Sequence, residues 1–254
     1  MTYIYQMISR AEALEKAKRL EIDNIWKLAN VEIPRGVTFP ETVEIYEGRV
    51  PKDADVKKVV VVNNIKHAWQ FLFENIDYAL DYQLVAEYNR IVGTGLEKDP
   101  GKLRQELVTI SGTEFIPDMP TFKGVKSQIE MLSGLENPVN QALEVFAKIA
   151  RGQWFANGNK RTAYMLANHL LLQHNVGLFA IPVEENENFV NQLIAYYESA
   201  ESELLKDFLY ESSVRLFPEA LTQQQRRKLT EKQSMARSES DLRSETEALK
   251  QSEF

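Results

Sequence analysis

The sequence predicts an all-α protein with one β-hairpin. Most segments between glycine and proline breaks carry apolar residues at the three- and four-residue spacing of a helix. Only residues 104–117 alternate apolar and polar positions, on either side of a turn signal at 111–113. We therefore expect a helical core from which a single hairpin projects.

The first half of the chain is predicted to form four helices. They are expected at residues 8–30, at 38–48, from about 54 to 76, and around 84–92, where Gly93 and Gly95 end the pattern. The run Val59–Val62 is β-branched, which favours a strand. Its apolar pattern nevertheless continues at helical spacing to about Ile76, and this favours a buried helix.

The second half is predicted to be helical after the hairpin. Pro117 and Pro120 separate the hairpin from a helix at 121–133, and Pro138 opens the next helix. Further helices are expected at about 160–174, 184–199 and 200–215. The predicted organisation is an N-terminal helical region at 1–50, a core domain at 51–218, and a polar helical or disordered tail at 219–254.

Composition narrows the range of functions. The chain has 254 residues, 44% hydrophobic residues, a net charge of −7 and no cysteine. Disulfides and thiolate metal sites are thereby excluded, and the acidic balance makes nucleic acid an improbable partner. No apolar run approaches the roughly 20 residues of a membrane span, and the N-terminus lacks the pattern of a signal peptide. A cytoplasmic protein without membrane attachment is expected.

The stretch Gln153–Thr162 carries the strongest functional signal. It is a polar, glycine-centred turn that leads directly into an apolar helix. Backbone N–H groups at a helix start are unpaired and carry partial positive charge, and Lys160 and Arg161 add two cations there. This arrangement predicts an anion-binding loop, with phosphate as the expected anion. A simple capped helix start is the alternative. The stretch is not a Walker P-loop, because G-x-x-x-x-G-K-[ST] does not occur.

This stretch resembles the Fic/Doc (Fido) signature H-x-F-x-[D/E]-[G/A]-N-[G/K]-R. The positions that match in register are Phe155, Gly158, Asn159, Lys160 and Arg161. Gln153 stands at the catalytic histidine position and Asn157 at the acidic metal-binding position. Tyr164 stands where the longer Fic motif has a second arginine. The order of helices, one hairpin, and a loop leading into a helix is also similar to this family over about residues 20–200.

The resemblance implies a site and a chemistry. AMP or another nucleotide-derived group would pass from ATP or another nucleotide to a protein hydroxyl, with Gln153 and Arg161 at the catalytic positions. Asn157 to Arg161 would hold the phosphates, and Mg²⁺ would bind weakly at Asn157, since an amide lacks the charge of a carboxylate. The hairpin would be the flap that pairs with the backbone of the target protein by strand addition. Its target-binding residues would be Val108, Thr109 and Ile110.

Glu32 is a candidate inhibitory residue. Some Fic proteins carry an inhibitory helix, [S/T]-x-x-x-E-[G/N], whose glutamate pairs with the second arginine and blocks ATP. Residues 28–33 occupy a similar N-terminal place, although only the glutamate of that motif is present. Tyr164 cannot form an ion pair with it. The alternative is a surface glutamate at a helix end.

Three interpretations of the degenerate motif remain open. Glutamine lacks the basicity of histidine, so Gln153 is a poor general base. The chain's histidines, His67, His169 and His174, are expected to be surface or packed residues and not displaced bases. The first interpretation is a divergent transferase, and the second is a pseudoenzyme that binds nucleotide or a protein partner. The third is a Doc-like protein kinase, which Lys160 in place of glycine suggests. A pure interaction module whose tail binds partners is a further alternative.

Overall fold

The structure, a computed structural model, describes residues 3–34, 36–52 and 54–217. Within these ranges the chain forms nine α-helices, one short 3₁₀ helix (Val183–Glu185) and one two-stranded sheet. The predicted all-α class is confirmed. The predicted tail at 219–254 lies outside the described residues. In chain order the elements are α1 (Arg10–Glu32), α2 (Phe39–Tyr46), α3 (Val56–Glu74), α4 (Tyr82–Gly93), α5 (Phe122–Ser133), α6 (Pro138–Gly152), α7 (Asn159–Gln173), β1 (Gly177–Phe179), α8 (Asn186–Ser199), α9 (Glu203–Ser212) and β2 (Val214–Leu216).

Polar caps begin most of the early helices. Thr38 and Glu41 form a reciprocal capping box at α2. The side chains of Asp55 and Asp81 accept hydrogen bonds from the first turns of α3 and α4. The predicted helices up to residue 92 are therefore confirmed, including the Val59–Val62 run, which lies inside α3.

Helix α7 lies at the centre of the core. Thirteen of its fifteen residues are buried, as is expected of a helix covered on all sides. It packs against α1, α3, α4, α6 and β1. The predicted N-terminal region contributes to the same hydrophobic core, because Ile25 and Leu28 of α1 are fully buried in it.

A buried asparagine joins α7 to the small sheet. Asn168 donates to the carbonyl of Phe179 at 2.8 Å and accepts from the N–H of the same residue at 2.9 Å. β1 then pairs antiparallel with β2, with Phe179 opposite Val214. The prediction of helix over 200–215 is wrong for its last residues, since α9 ends at Ser212. The pairing of β2 with β1 prevails there over local helix propensity.

The predicted hairpin at 104–117 turns where expected but does not form paired strands. Gly112 adopts φ +86° at the turn, yet no strand occurs within this segment. The buried Arg104 side chain lies between the two arms and donates to the carbonyls of Glu106, Pro117 and Asp118. Pro117 also lacks an N–H group for a strand ladder. The arms therefore bind this guanidinium and not one another.

Among the described residues, none of the helices has both the length and the apolar character needed to cross a membrane.

His169 is a packed residue of α7, as predicted. Its Nδ1 lies 2.8 Å from the hydroxyl of Tyr88, and its Nε2 lies 3.2 Å from the carbonyl of Tyr78. Burial lowers the pKa of His169 to about 4, and the carbonyl of Tyr78 and the charge of Asp77 oppose this shift only in part. The imidazole is therefore neutral at neutral pH, with the tyrosine donating to it and Nε2–H donating to the carbonyl.

Stability is expected to fall with decreasing pH because of His169. The unfolded chain binds a proton at this residue below pH about 6.5, whereas the folded chain binds it only near pH 4. The contribution is complete above pH 6.5 and is lost as pH falls toward 4, by up to about 3 kcal/mol. This contribution is measured by urea unfolding of native protein and of His169→Gln at pH 7 and pH 4.5. The variant should lose less stability than native protein between the two pH values.

His67→Gln is the matched control, because His67 is exposed. Its pH dependence should equal that of the native chain. Equal pH dependence in His169→Gln and native protein would contradict the role assigned to His169.

Candidate active site

The loop Gln153–Gly158 connects α6 to the central helix α7. Two left-handed residues shape it. Gln153 caps α6 with φ +44° and ψ +52°, and Gly158 precedes α7 with φ +76°. The positive φ favours glycine here, and a Cβ at this position would be in tight contact with Asn89, 3.1 Å from its Nδ2.

Asn159 closes the loop from within. Its Oδ1 accepts from the N–H of Phe155 at 3.0 Å, and its Nδ2 donates to the Phe155 carbonyl at 2.8 Å. The same Nδ2 lies 3.0 Å from Oε1 of Gln153. The asparagine side chain is buried and engaged at both ends, so it fixes the course of the loop.

Gln153 is held by hydrogen bonds at both ends of its amide. Oε1 accepts from Asn159, and Nε2 donates to the carbonyl of Ala150 at 2.6 Å. The hydroxyl of Tyr197, whose pKa is raised by burial, also contacts this amide. An amide offers no proton-accepting group near neutral pH. At the position of the family's histidine, the structure therefore has a group that supports the loop.

Arg161 is a buried cation on the first turn of α7. Only 1% of its surface is exposed, and its Nη1 donates to the carbonyl of Val92 at 2.6 Å. Its Nη2 lies 3.4 Å from Oδ1 of Asn157. Burial lowers the pKa of Arg161, and the carboxylates of Glu32 and Glu97 oppose this. An arginine so placed remains charged at neutral pH.

Glu32, the last residue of α1, pairs with this arginine. Glu32 Oε2 lies 3.2 Å from Nε of Arg161, and the glutamate side chain is only 13% exposed. The Nε–H has no hydrogen-bonding partner among the described residues, so the contact is an ion pair without hydrogen-bond alignment. The alternative interpretation of Glu32 as a surface residue is therefore wrong. Tyr164 takes no part, because it is buried in the core with its ring edge-on to Phe179.

A cleft of about 420 Å³ opens beside the ion pair. Its lining combines polar and apolar groups from α1, α3, the loop after α4, the loop before α7, and the first turn of α7. The lining residues are Glu32, Val56, Lys57, Val60, Gly95, Leu96, Glu97, Asn157 and Arg161.

The start of α7 next to this cleft is uncapped. No side chain caps the helix, and the backbone N–H groups of residues 159–161 make no hydrogen bond within the described chain. Unpaired N–H groups at a helix start bind anions. Lys160 is half-buried on the same turn, and no carboxylate of the described residues forms an ion pair with it.

Asn157 meets a carboxylate across the cleft. Its Nδ2 donates to Oε1 of Glu97 at 2.5 Å, while its Oδ1 accepts from the N–H of Gly158 at 2.6 Å. No group of three or more His, Cys, Asp or Glu residues that could hold a metal occurs in the described part of the chain. Mg²⁺, however, is often bound by one or two carboxylates together with substrate phosphates. Glu97 and Asn157 are the residues of the cleft that could hold such an ion.

The flap segment is attached directly to the loop. Leu103 and Phe155 form an antiparallel bridge, and the N–H of Arg104 donates to the carbonyl of Trp154 at 3.0 Å. Arg104 Nε also donates to the carbonyl of Gln153 at 2.6 Å. The backbone groups of residues 108–110, the predicted target-binding positions, make no hydrogen bonds within the described chain. Ile110 packs in part against the core, whereas Thr109 is exposed.

Sequence reasoning missed three residues of the site. Glu97 belongs to no motif, and nothing in the sequence places it beside Asn157. Asn89 donates to the carbonyl of Asn157 at 2.9 Å and accepts from the N–H of Gly101 at 2.8 Å. The sequence signal that could have identified Asn89 is a polar residue on the apolar face of α4. Arg104 was predicted only as the first residue of the hairpin segment 104–117.

Residues 79–171 match the model of the Fic/DOC family. This range contains the loop, Arg161, Glu97, Asn89 and the flap segment. This part of the chain is therefore similar to the Fic/DOC family.

Solved structures of Fic proteins share the fold. Fic-1 from C. elegans superposes with a TM-score of 0.64 at 18% identity, covering 80% of this chain and 62% of that protein chain. A Fic domain-containing signaling protein from Bacteroides thetaiotaomicron also gives 0.64 at 18% identity, covering 78% and 79%. A Fic family protein from Desulfovibrio desulfuricans gives 0.59 at 15% identity, covering 79% and 68%. The present chain thus spans less than two thirds of the C. elegans protein. Among curated proteins, no significant match was found.

Proposed function

We propose that this Fic/DOC protein binds a nucleotide through its phosphates in the cleft beside α7 and transfers AMP, or another nucleotide-derived group, to a hydroxyl of a target protein. The observation that carries the proposal is the buried Arg161 at the uncapped start of α7, facing a cleft of about 420 Å³. A buried guanidinium beside unpaired backbone N–H groups favours an anionic ligand with several oxygens.

For AMP transfer from ATP, the target hydroxyl oxygen attacks the α-phosphorus. The bond between that phosphorus and the oxygen bridging to the β-phosphate breaks, and pyrophosphate leaves. Arg161 and the N–H groups of 159–161 stabilise the charge on the phosphate oxygens. The amide of Gln153 cannot accept the hydroxyl proton, so the proton passes to a phosphate oxygen of the nucleotide. A loose phosphoryl transition state makes little demand on a base, because the hydroxyl is deprotonated late.

The target is held by the flap segment in this proposal. The backbone of residues 108–110 is open to pairing, and its entry is fixed to the loop by the Leu103–Phe155 bridge. An added strand would place a target side chain close to Gln153.

A second candidate function is favoured by the bonding of Gln153. Both ends of its amide are engaged within the loop, as in a site kept for binding and not for chemistry. In that case the protein is a pseudoenzyme that binds nucleotide or a protein partner without transfer.

Labelling with ATP that carries ³²P at the α- or the γ-position distinguishes the candidates. Native protein, Arg161→Lys, and the double variant Gln153→His with Asn157→Asp are incubated with cell extract, and ATP binding is measured by calorimetry. If the protein transfers AMP, native protein should put label from α-labelled ATP on a target protein, and Arg161→Lys should not. Label only with the double variant supports the pseudoenzyme, and γ-label without α-label supports a kinase. Absence of ATP binding to native protein contradicts nucleotide binding altogether.

A further inference from the structure

We propose that Glu97 supplies the metal-binding carboxylate that the motif lacks at Asn157, so that Glu97 and the nucleotide phosphates together bind Mg²⁺. The inference rests on the proposed nucleotide binding and assigns a residue outside the motif to that site. The evidence for it is the closeness of Glu97 and Asn157. Oε1 of Glu97 lies 2.5 Å from Nδ2 of Asn157, and both residues line the cleft that Arg161 faces.

Glu97 is held in place by the loop that follows α4. The N–H groups of Leu96 and Glu97 both donate to the carbonyl of Gly93 at 3.0 Å. Gly95 turns the chain with φ +72°. Farther along the same loop, Gly101 is bonded to Asn89, which also holds Asn157. Asn89 therefore connects the loop that carries Glu97 to the motif loop.

Of the two carboxylates in the cleft, Glu97 is the one available to a cation. Glu32 is nearly buried and paired with Arg161. Oε2 of Glu97 makes no hydrogen bond, and no lysine or arginine of the described residues forms an ion pair with Glu97. Arg161 interacts electrostatically with Glu97, but the carboxylate still repels a nearby phosphate, and a cation bound between the two offsets that repulsion.

The chemistry of the donors suits Mg²⁺. This ion prefers oxygen ligands and is commonly bound by one or two carboxylates plus substrate phosphates. A single carboxylate is therefore enough to bind the ion together with the phosphates. It can come from outside the motif if its side chain lies beside residue 157. Residue 157 lacks a carboxylate, but the Glu97 carboxylate is hydrogen-bonded to its side chain.

The test is the affinity for Mn²⁺ in the presence of saturating ATP, measured by calorimetry and by the electron paramagnetic resonance signal of free Mn²⁺. Glu97→Gln keeps an acceptor for Asn157 and removes only the charge, and it should weaken Mn²⁺ binding at least about tenfold. Adding Asn157→Asp to Glu97→Gln returns a carboxylate to the cleft and should restore the affinity. Glu74→Gln, at an exposed helix end, should leave it unchanged.

Unchanged Mn²⁺ affinity in Glu97→Gln would overturn the assignment. Loss without recovery in the double variant would overturn it as well, because it would make Glu97 a purely structural residue. Thermal unfolding of each variant confirms that it folds. ATP binding in the presence of EDTA separates the two proposals, since Glu97→Gln should retain it. If native protein itself binds no ATP, the nucleotide site fails, and the metal assignment fails with it.

Discussion

Replacing Glu32 by alanine is expected to destabilise the free protein by about 3–5 kcal/mol and to tighten ATP binding. The ion pair with Arg161 is almost fully buried, and removing one partner leaves an uncompensated charge. Without Glu32 the guanidinium has no competing carboxylate and binds phosphate more strongly, and the repulsion between Glu32 and phosphate is removed. Thermal unfolding with and without ATP measures both effects, and the stabilisation by ATP should be larger in the variant than in native protein.

Glu74→Ala is the control for this prediction. Glu74 is also a glutamate at a helix end, but it is exposed. Its removal should change stability by no more than about 0.5 kcal/mol and leave ATP binding unaltered. If Glu32→Ala behaves in the same way, the ion pair neither holds the core nor restrains the site.

Replacing Arg104 by methionine is expected to lower the free energy of unfolding by about 3–5 kcal/mol. The guanidinium donates to the carbonyls of Gln153, Glu106, Pro117 and Asp118. Each hydrogen bond of a charged donor contributes about 1.5–3 kcal/mol, and these contributions are not additive. Methionine keeps the apolar stem but no donor. Urea unfolding gives the loss, and limited proteolysis should show faster cleavage within residues 105–117.

Lys102→Met provides the matched comparison. Lys102 lies two residues earlier and is exposed, and among the described residues it pairs only with Asp99. It should unfold like native protein, with no change in cleavage of the flap. A loss below about 1 kcal/mol in Arg104→Met would show that the flap is held by other contacts.

The helices could be predicted because their signals are local. Caps such as Thr38 and Asp55 and the apolar period of α3 lie within a few residues of one another. The arms of 104–117 were predicted as strands because alternation is also a local signal. What decides their structure is the buried side chain of Arg104, whose bonding partners a pattern does not reveal.

The site could be predicted only where the motif is contiguous. The loop before α7 and the start of that helix were predicted from the contiguous stretch Gln153–Thr162. The partners of Arg161 and Asn157 could not be predicted from the sequence. Glu32 is 129 residues from Arg161, and Glu97 is 60 residues from Asn157. Only the packing of α1 and of the loop after α4 against the start of α7 brings these carboxylates there.

The burial of α7 sets a limit on dissecting this protein. The helix that carries Arg161 packs against α1 and α3, which precede residues 79–171 in the sequence, and against β1, which follows them. A fragment cut to residues 79–171 would expose to water the part of α7 that α1, α3 and β1 cover, and it would lose Glu32 as well. Such a fragment should aggregate and not act as a minimal catalytic unit. The recognisable part of the sequence is therefore not an autonomous folding unit.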